Sequence, residues 1–280
     1  MTTVVAPEPL PAPVIDTHTH LNLHDRAHGE SVPDPDELLA LAASVGVPKV
    51  VQIGCDAEYA RASVALARTR PDVIVGVSIH PNDAARLHEG HDSAALDAAL
   101  AQIAVLARED VVRAVGETGL DYFRTATELH ALQQDVFRWH IALAKELGKA
   151  LVIHDRDAHE DVIAILDAEG APETVIFHCF SGDAAMAMTC AERGWFMSFA
   201  GPITYKANDG LRAALAVVPD HLLLVETDAP YLTPVPHRGR PNASYLMPHT
   251  VRFMAAERGA DEAVLCGLLY DNAQRAFGAW

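Results

Sequence analysis

Apolar, β-branched runs that each end in a residue able to bind a metal recur through this chain of 280 residues. Buried parallel strands have this continuous Val, Ile and Leu character, whereas half-exposed strands alternate apolar and polar residues. Parallel strands of one sheet end at the same edge, so side chains that close several such runs meet there. The runs are Val14–His20, Val111–Glu117, Leu151–His154, Val175–His178 and Leu222–Asp228.

Three further strand-like segments bring the predicted strand count to eight, and helical segments separate most of the strands. The further strands are predicted at residues 49–55, 73–79 and 195–200. The longest helix is predicted over residues 128–147, because Gly148 follows it in the position typical of a helix end. Strands alternating with helices in this way predict a single (β/α)8 TIM barrel over residues 14–280, with a doubly wound open sheet as the alternative.

Composition excludes some classes of protein. Half of the residues are hydrophobic, yet no apolar run approaches the ~20 residues that span a bilayer, so the chain is not expected to be an integral membrane protein. Residues 1–13 lack the features of a signal peptide and are predicted to form a disordered tail. The four cysteines show no CxxC pairing, which favours a cytoplasmic protein with free thiols.

The formal net charge of −17 bears on nucleic-acid binding. A protein that holds nucleic acid by many phosphate contacts normally carries a basic patch. An extended nucleic-acid surface is therefore not expected. Binding of a short strand end remains open, because bound divalent ions supply a local positive field.

The candidate ligands that close the apolar runs suit two divalent ions better than one. Two ions ~3.5 to 4 Å apart can hold a phosphoryl oxygen, generate hydroxide near neutral pH and stabilise a leaving oxygen. Mg, Mn and Zn all remain open. Glu117 is expected to bridge the ions, and Asp228 to orient or deprotonate the attacking water. The predicted ligands are His18, His20, Glu117, His154, His178 and Asp228.

Other polar residues fall close to these ligands in sequence. His80 ends the third predicted strand and is expected to contact a phosphate or leaving group rather than the metal. Arg156 and Arg124 are candidate phosphate contacts, although each could instead pair with an acid. Asp16, two residues before His18, is expected to support the site from a buried position.

Six motifs follow one another along the chain: DTHTH at 16–20, IHP at 79–81, GETGLDYFR at 116–124, VIHDRDA at 152–158, FHCFSG at 177–182 and ETDAPYLTP at 226–234. In this order they resemble the motifs of the TatD family of metal-dependent hydrolases, and the resemblance runs from Val14 to Phe277. The resemblance implies a TIM barrel with a divalent metal centre, and deoxyribonuclease activity that is often 3′ to 5′ exonucleolytic. Carried over residue by residue, it implies the same six ligands.

Two positions depart from the family pattern. Ser78 stands where the family usually has glycine before the Gly-x-His-Pro histidine. After the eighth strand, the family's Arg-Asn-Glu-Pro is replaced by residues 240–244, which read RPNAS. The second departure affects the expected substrate contacts and leaves the predicted ligands unchanged.

The leading functional hypothesis is a metal-dependent deoxyribonuclease that acts on a DNA end or a small phosphodiester. The main alternative is hydrolysis of a small-molecule amide, lactone or ester on the same dinuclear barrel site, because a fold does not determine the substrate. A metal-binding protein without catalytic activity is the third possibility. The sequence gives no prediction of oligomeric state.

Overall fold

A computed structural model of the chain describes residues 4–21, 34–89 and 93–280. Within these ranges eight strands follow one another in the sheet in chain order. The strands are β1 (Ile15–Thr19), β2 (Lys49–Gly54), β3 (Val73–Val77), β4 (Val112–Asp121), β5 (Ala150–Arg156), β6 (Val175–Phe177), β7 (Phe196–Phe199) and β8 (Leu223–Val225).

Helices connect the strands, as the alternating sequence pattern predicts. Asp56 caps the second helix by accepting a hydrogen bond from Tyr59 N, and Gly148 ends the fifth helix in the left-handed conformation. The helices are α1 (Pro35–Ser44), α2 (Ala57–Ala67), α3 (Pro81–Glu89), α4 (Ser93–Leu106), α5 (His130–Leu147), α6 (His159–Glu169), α7 (Ala184–Glu192), α8 (Asp209–Val217), α9 (Met247–Arg258) and α10 (Glu262–Phe277).

The strand order closes the sheet into a barrel. Thr19 forms a parallel bridge with Ala229, just beyond β8. The His20 amide donates to the Ala229 carbonyl at 2.8 Å, and the Asp228 amide donates to the His18 carbonyl at 2.9 Å. The (β/α)8 barrel prediction is therefore confirmed, and the open-sheet alternative is wrong because its strand order would reverse partway through the sheet.

Contacts within the chain divide it into two compact units. The first unit consists of Met1–Gln52 and Gly182–Arg275, and the second of Ile53–Ser181 and Ala276–Trp280. In the first, the buried Thr17 hydroxyl donates to the Val225 carbonyl at 2.9 Å and so joins β1 to β8.

In the second unit, β4 pairs with β5 from Ala114 to Asp121, four residues past the predicted strand end at Glu117. Gly119 makes this extension possible. A Cβ at Gly119 would lie 2.1 Å from the His154 carbonyl oxygen, so a residue with a side chain would push the two strands apart. Glu117 consequently lies within a paired strand, and β4 extends past it to Asp121.

The prediction of a disordered tail over residues 1–13 is wrong for part of that segment. Leu10 is buried, and its amide donates to the Val45 carbonyl at 3.0 Å. Arg252 donates to the carbonyls of Glu8 and Pro9. Burial of an apolar side chain and satisfied backbone carbonyls hold this stretch in place. Residues 1–3 lie outside the described residues.

None of the helices in the described ranges is both long enough and apolar enough to cross a membrane.

Candidate metal centre

His18, His20 and Asp228 form what we call the first cluster, at the carboxyl ends of β1 and β8. The Nε2 atoms of His18 and His20 lie 3.8 and 3.5 Å from Asp228 Oδ1. Each side chain offers one ligand atom, and these atoms lie within 4.8 Å of one another. The period of two along β1 places both imidazoles on one face of the sheet.

Asp16 fixes the backbone that carries the first cluster. Its Oδ1 accepts a hydrogen bond from Thr227 N at 2.9 Å, and its Oδ2 accepts one from the Thr227 hydroxyl at 2.5 Å. Burial raises the pKa of the Asp16 carboxyl to about 7, and the Thr227 hydrogen bonds oppose this rise. Asp16 therefore ties β1 to the residue before Asp228, as expected of a buried supporting residue.

Glu117, His80, His154 and His178 form what we call the second cluster. Glu117 Oε1 lies 2.8 Å from His154 Nδ1, 2.8 Å from His178 Nε2 and 3.4 Å from His80 Nε2. Three imidazole nitrogens thus converge on one oxygen of a carboxylate that is only 5% exposed. Such a buried group of nitrogen and oxygen donors matches the ligand chemistry of Zn and Mn, and its carboxylate also suits Mg.

The electrostatics of the second cluster favour an ionised carboxylate. Burial disfavours the charge on Glu117, but His178, His80 and His154 outweigh it and hold the Glu117 pKa well below its usual value. Burial also lowers the pKa of His80, which favours its neutral form. For His154, hydrogen bonds to Asp121 and Glu117 overcome burial and raise the pKa.

Asp121 belongs beside the second cluster although sequence reasoning did not select it. Its Oδ2 lies 3.3 Å from His154 Nε2 and accepts a hydrogen bond from Asn82 Nδ2 at 2.8 Å. These contacts lower the Asp121 pKa despite the effect of burial. The signal was present in the sequence, because Asp121 follows Glu117 by four residues and an extended strand places both on one face.

Cys55 is a second residue that sequence reasoning did not assign to the site. Its thiol donates a hydrogen bond to Glu117 Oε2 with a sulfur to oxygen distance of 3.6 Å. Cys55 lies directly after β2, and this position at a strand end is the sequence feature that could have identified it as a site residue. A thiol is a softer donor than the surrounding carboxylate and imidazoles.

The remaining predicted site residues take different positions. His80 lies with Glu117 and His154 in one group of candidate ligand atoms, although it was expected to contact a phosphate or leaving group rather than the metal. The Arg156 guanidinium lies over the Phe123 ring, 4.0 Å from its centroid, and Arg124 is exposed. The phosphate contacts assigned to both arginines stay predictions.

The loop that departs from the family motif is anchored by Asn242. Its side-chain amide donates to the carbonyls of Thr227 and Tyr231 at 2.8 and 2.7 Å, and its backbone amide donates to the Pro230 carbonyl at 2.9 Å. Asn242 is buried. The altered loop therefore supports the backbone on both sides of Asp228.

Comparison with known proteins identifies the family. The family model described as TatD related DNase matches residues 15–278. The chain is 42% identical to an uncharacterized metal-dependent hydrolase TatD from Mycobacterium tuberculosis. This alignment of 272 residues covers 95% of this chain and 98% of the relative. Over 251 residues the chain is 34% identical to a 3′-5′ ssDNA/RNA exonuclease TatD from Cronobacter sakazakii, covering 87% of this chain and 92% of the relative.

A solved structure leads to the same conclusion. A TatD homologue from Escherichia coli matches with a TM-score of 0.84 and 27% identity, over 95% of this chain and 98% of the homologue. The family match therefore extends over both clusters and nearly all of the barrel. The chain belongs to the TatD-related DNase family and is a metal-dependent hydrolase with a TIM-barrel fold.

Proposed function

We propose that this protein is a deoxyribonuclease that removes nucleotides from the 3′ end of a strand by attack of water on phosphorus. The main support is the convergence of three imidazole nitrogens on the buried Glu117 carboxylate, because this arrangement suits a bound cation. The name of the Cronobacter sakazakii relative supports a nucleic-acid substrate.

Two divalent ions, either Mg, Mn or Zn, fit the donor sets, with one ion assigned to each cluster. His18, His20 and Asp228 would hold the first, and Glu117, His154 and His178, with His80 beside them, would hold the second. Bound divalent ions would polarise the phosphoryl oxygen and lower the pKa of water. A bridging role for Glu117 stays a prediction.

The protein side chains have distinct roles in the proposed reaction. Asp228 keeps 14% of its side chain exposed, so it can accept a proton from the attacking water. His80 favours the neutral form and can contact the phosphate or the leaving oxygen through its imidazole. Arg156 and Arg124, beyond the second cluster, are assigned to the remaining phosphate charge.

The charge of the chain limits the size of the proposed substrate. At a net charge of −17, long nucleic acid is repelled, whereas a short strand end gains from the local field of bound cations. The same negative charge favours the alternative substrate, a small amide, lactone or ester. Faster turnover of a panel of esters and lactones than of DNA ends would establish this alternative.

The proposal is tested with a single-stranded oligonucleotide labelled near its 3′ end. Protein stripped of metal is refilled in parallel with Mg, Mn or Zn, and the His18→Ala/His20→Ala double variant serves as control. We expect metal-dependent release of 5′ nucleotides from the 3′ end, with loss of activity in the variant. Absence of cleavage with every metal, or equal cleavage by the variant, would reject the deoxyribonuclease.

A further inference from the structure

We propose that Phe123, with Arg156 stacked on it, is a binding platform for the nucleobase at the end of the bound strand. This inference rests on the proposed nuclease function and extends it from the phosphate to the base. Phe123 is 63% exposed, a large apolar surface for a residue two positions beyond the end of β4. Nothing in the metal chemistry of the site requires an exposed aromatic ring at this position.

The platform lies next to the second cluster. Asp121 Oδ2 is 3.3 Å from His154 Nε2, while Asp121 Oδ1 accepts hydrogen bonds from the amides of Phe123 and Arg124 at 3.1 and 2.8 Å. One carboxylate therefore connects a proposed metal ligand to the turn that presents the ring. A nucleotide whose phosphate lies at the cluster has its base within reach of this turn.

The turn is held firmly by its neighbours. Tyr122 stacks on His130 with a centroid separation of 3.7 Å and an interplanar angle of 7°. The Tyr122 hydroxyl donates to Asp161 Oδ2 at 2.6 Å and accepts from Gln134 Nε2 at 2.7 Å, and the Tyr122 amide donates to the Arg156 carbonyl at 2.9 Å. A fixed turn presents the ring without a large ordering cost on binding.

The chemistry of the platform suits a nucleobase. The Arg156 guanidinium covers one side of the ring at 4.0 Å, which leaves a planar surface with a positive charge beside it. Bases stack on aromatic side chains regardless of sequence, and the interaction involves no phosphate charge. Stacking therefore provides affinity that the net charge of −17 does not oppose.

The test compares two oligonucleotides that differ only in the terminal residue, which is either a normal nucleotide or an abasic one. For Phe123→Ala we expect kcat/KM to fall about tenfold on the normal end, by analogy with the loss of one stacked base. The abasic end should be cleaved equally well by wild type and variant. Phe123→Trp should keep the preference for the normal end. Val105→Ala, which shortens a comparably exposed apolar side chain on α4, should leave kcat/KM unchanged on both substrates.

A binding measurement separates failure of this inference from failure of the nuclease proposal. The same pair of oligonucleotides, with a phosphorothioate linkage before the last residue, is titrated into metal-loaded protein and followed by fluorescence anisotropy. Wild type should bind the normal end about tenfold more tightly than the abasic end, and Phe123→Ala should bind both equally. Tight binding with this pattern but no hydrolysis would reject the nuclease and keep the platform. Equal binding of both ends by wild type, or no binding, would overturn the platform.

Discussion

Both clusters combine histidines with one carboxylate, but they differ in how closely the imidazole nitrogens approach that carboxylate. In the first cluster the imidazole nitrogens stay 3.5 and 3.8 Å from the Asp228 carboxylate. In the second cluster two imidazole nitrogens lie 2.8 Å from Glu117. Two imidazole nitrogens of the second cluster therefore approach their carboxylate more closely than either imidazole of the first approaches Asp228.

The supports of the two clusters differ as well. The first cluster is supported by a buried carboxylate, Asp16, which accepts two hydrogen bonds from Thr227. Behind the second is a buried imidazole, His140 on α5, whose Nε2 accepts a hydrogen bond from the Ile79 amide at 3.1 Å. Ile79 directly precedes His80. Each cluster therefore has its own buried polar support, and the two supports can be altered separately.

The largest expected effect comes from removing one carboxylate at a time. Glu117→Gln and Asp228→Asn should each lower kcat/KM by at least about 100-fold. Mutating a residue that only supports a metal ligand already costs up to about 100-fold, and a ligand itself should cost at least as much. Metal analysis should show that Asp228→Asn loses the ion of the first cluster and keeps that of the second, whereas Glu117→Gln, at the predicted bridging ligand, binds both ions more weakly. Glu109→Gln, which changes a surface carboxylate paired with Arg68, is the matched control. Full activity in either site variant would contradict the proposed mechanism.

A second expected effect is a pH dependence of stability that comes from His140, the support of the second cluster. Burial lowers the pKa of His140 to about 4 from an ordinary value of 6.5. The unfolded chain binds this proton more readily, so the contribution of His140 to stability is present above pH 6.5 and is lost as the pH falls toward 4. The shift corresponds to about 3 kcal/mol.

The measurement for His140 is the free energy of urea unfolding from pH 4 to pH 7. In His140→Gln the free energy of unfolding should fall less steeply toward pH 4 than in wild type. In His221→Gln, at an exposed position, it should fall as steeply as in wild type. Identical pH profiles for the two variants would show that His140 does not titrate as expected.

A smaller effect is expected for the support of the first cluster. Thr227→Val removes a hydroxyl that donates to the buried Asp16 carboxyl, and loss of such a hydrogen bond costs about 1–3 kcal/mol. Thr69→Val removes an exposed hydroxyl bond and should change stability by less than about 0.5 kcal/mol. Urea unfolding measures both. The ion of the second cluster should remain bound in Thr227→Val, and its loss would contradict separate supports.

Much of the fold could be predicted because its signals are local. Continuous Val, Ile and Leu runs marked the strands, and Gly148 marked the end of α5, where it adopts a positive φ of 61°. The end of β4 could not be located, since its last residues are paired only because Gly119 lets β5 approach closely. The order of the segment around Leu10 likewise depends on contacts with distant residues, Val45 and Arg252.

The sequence by itself determined the alternation of strands and helices and the motifs that follow the apolar runs, and therefore the barrel, the family and the predicted ligands. Only the tertiary structure placed His80, Asp121 and Cys55 beside Glu117 and His154. The physical reason is that strand periodicity is a property of neighbouring residues, whereas distances between side chains on different strands depend on register. Register follows from packing across the whole sheet.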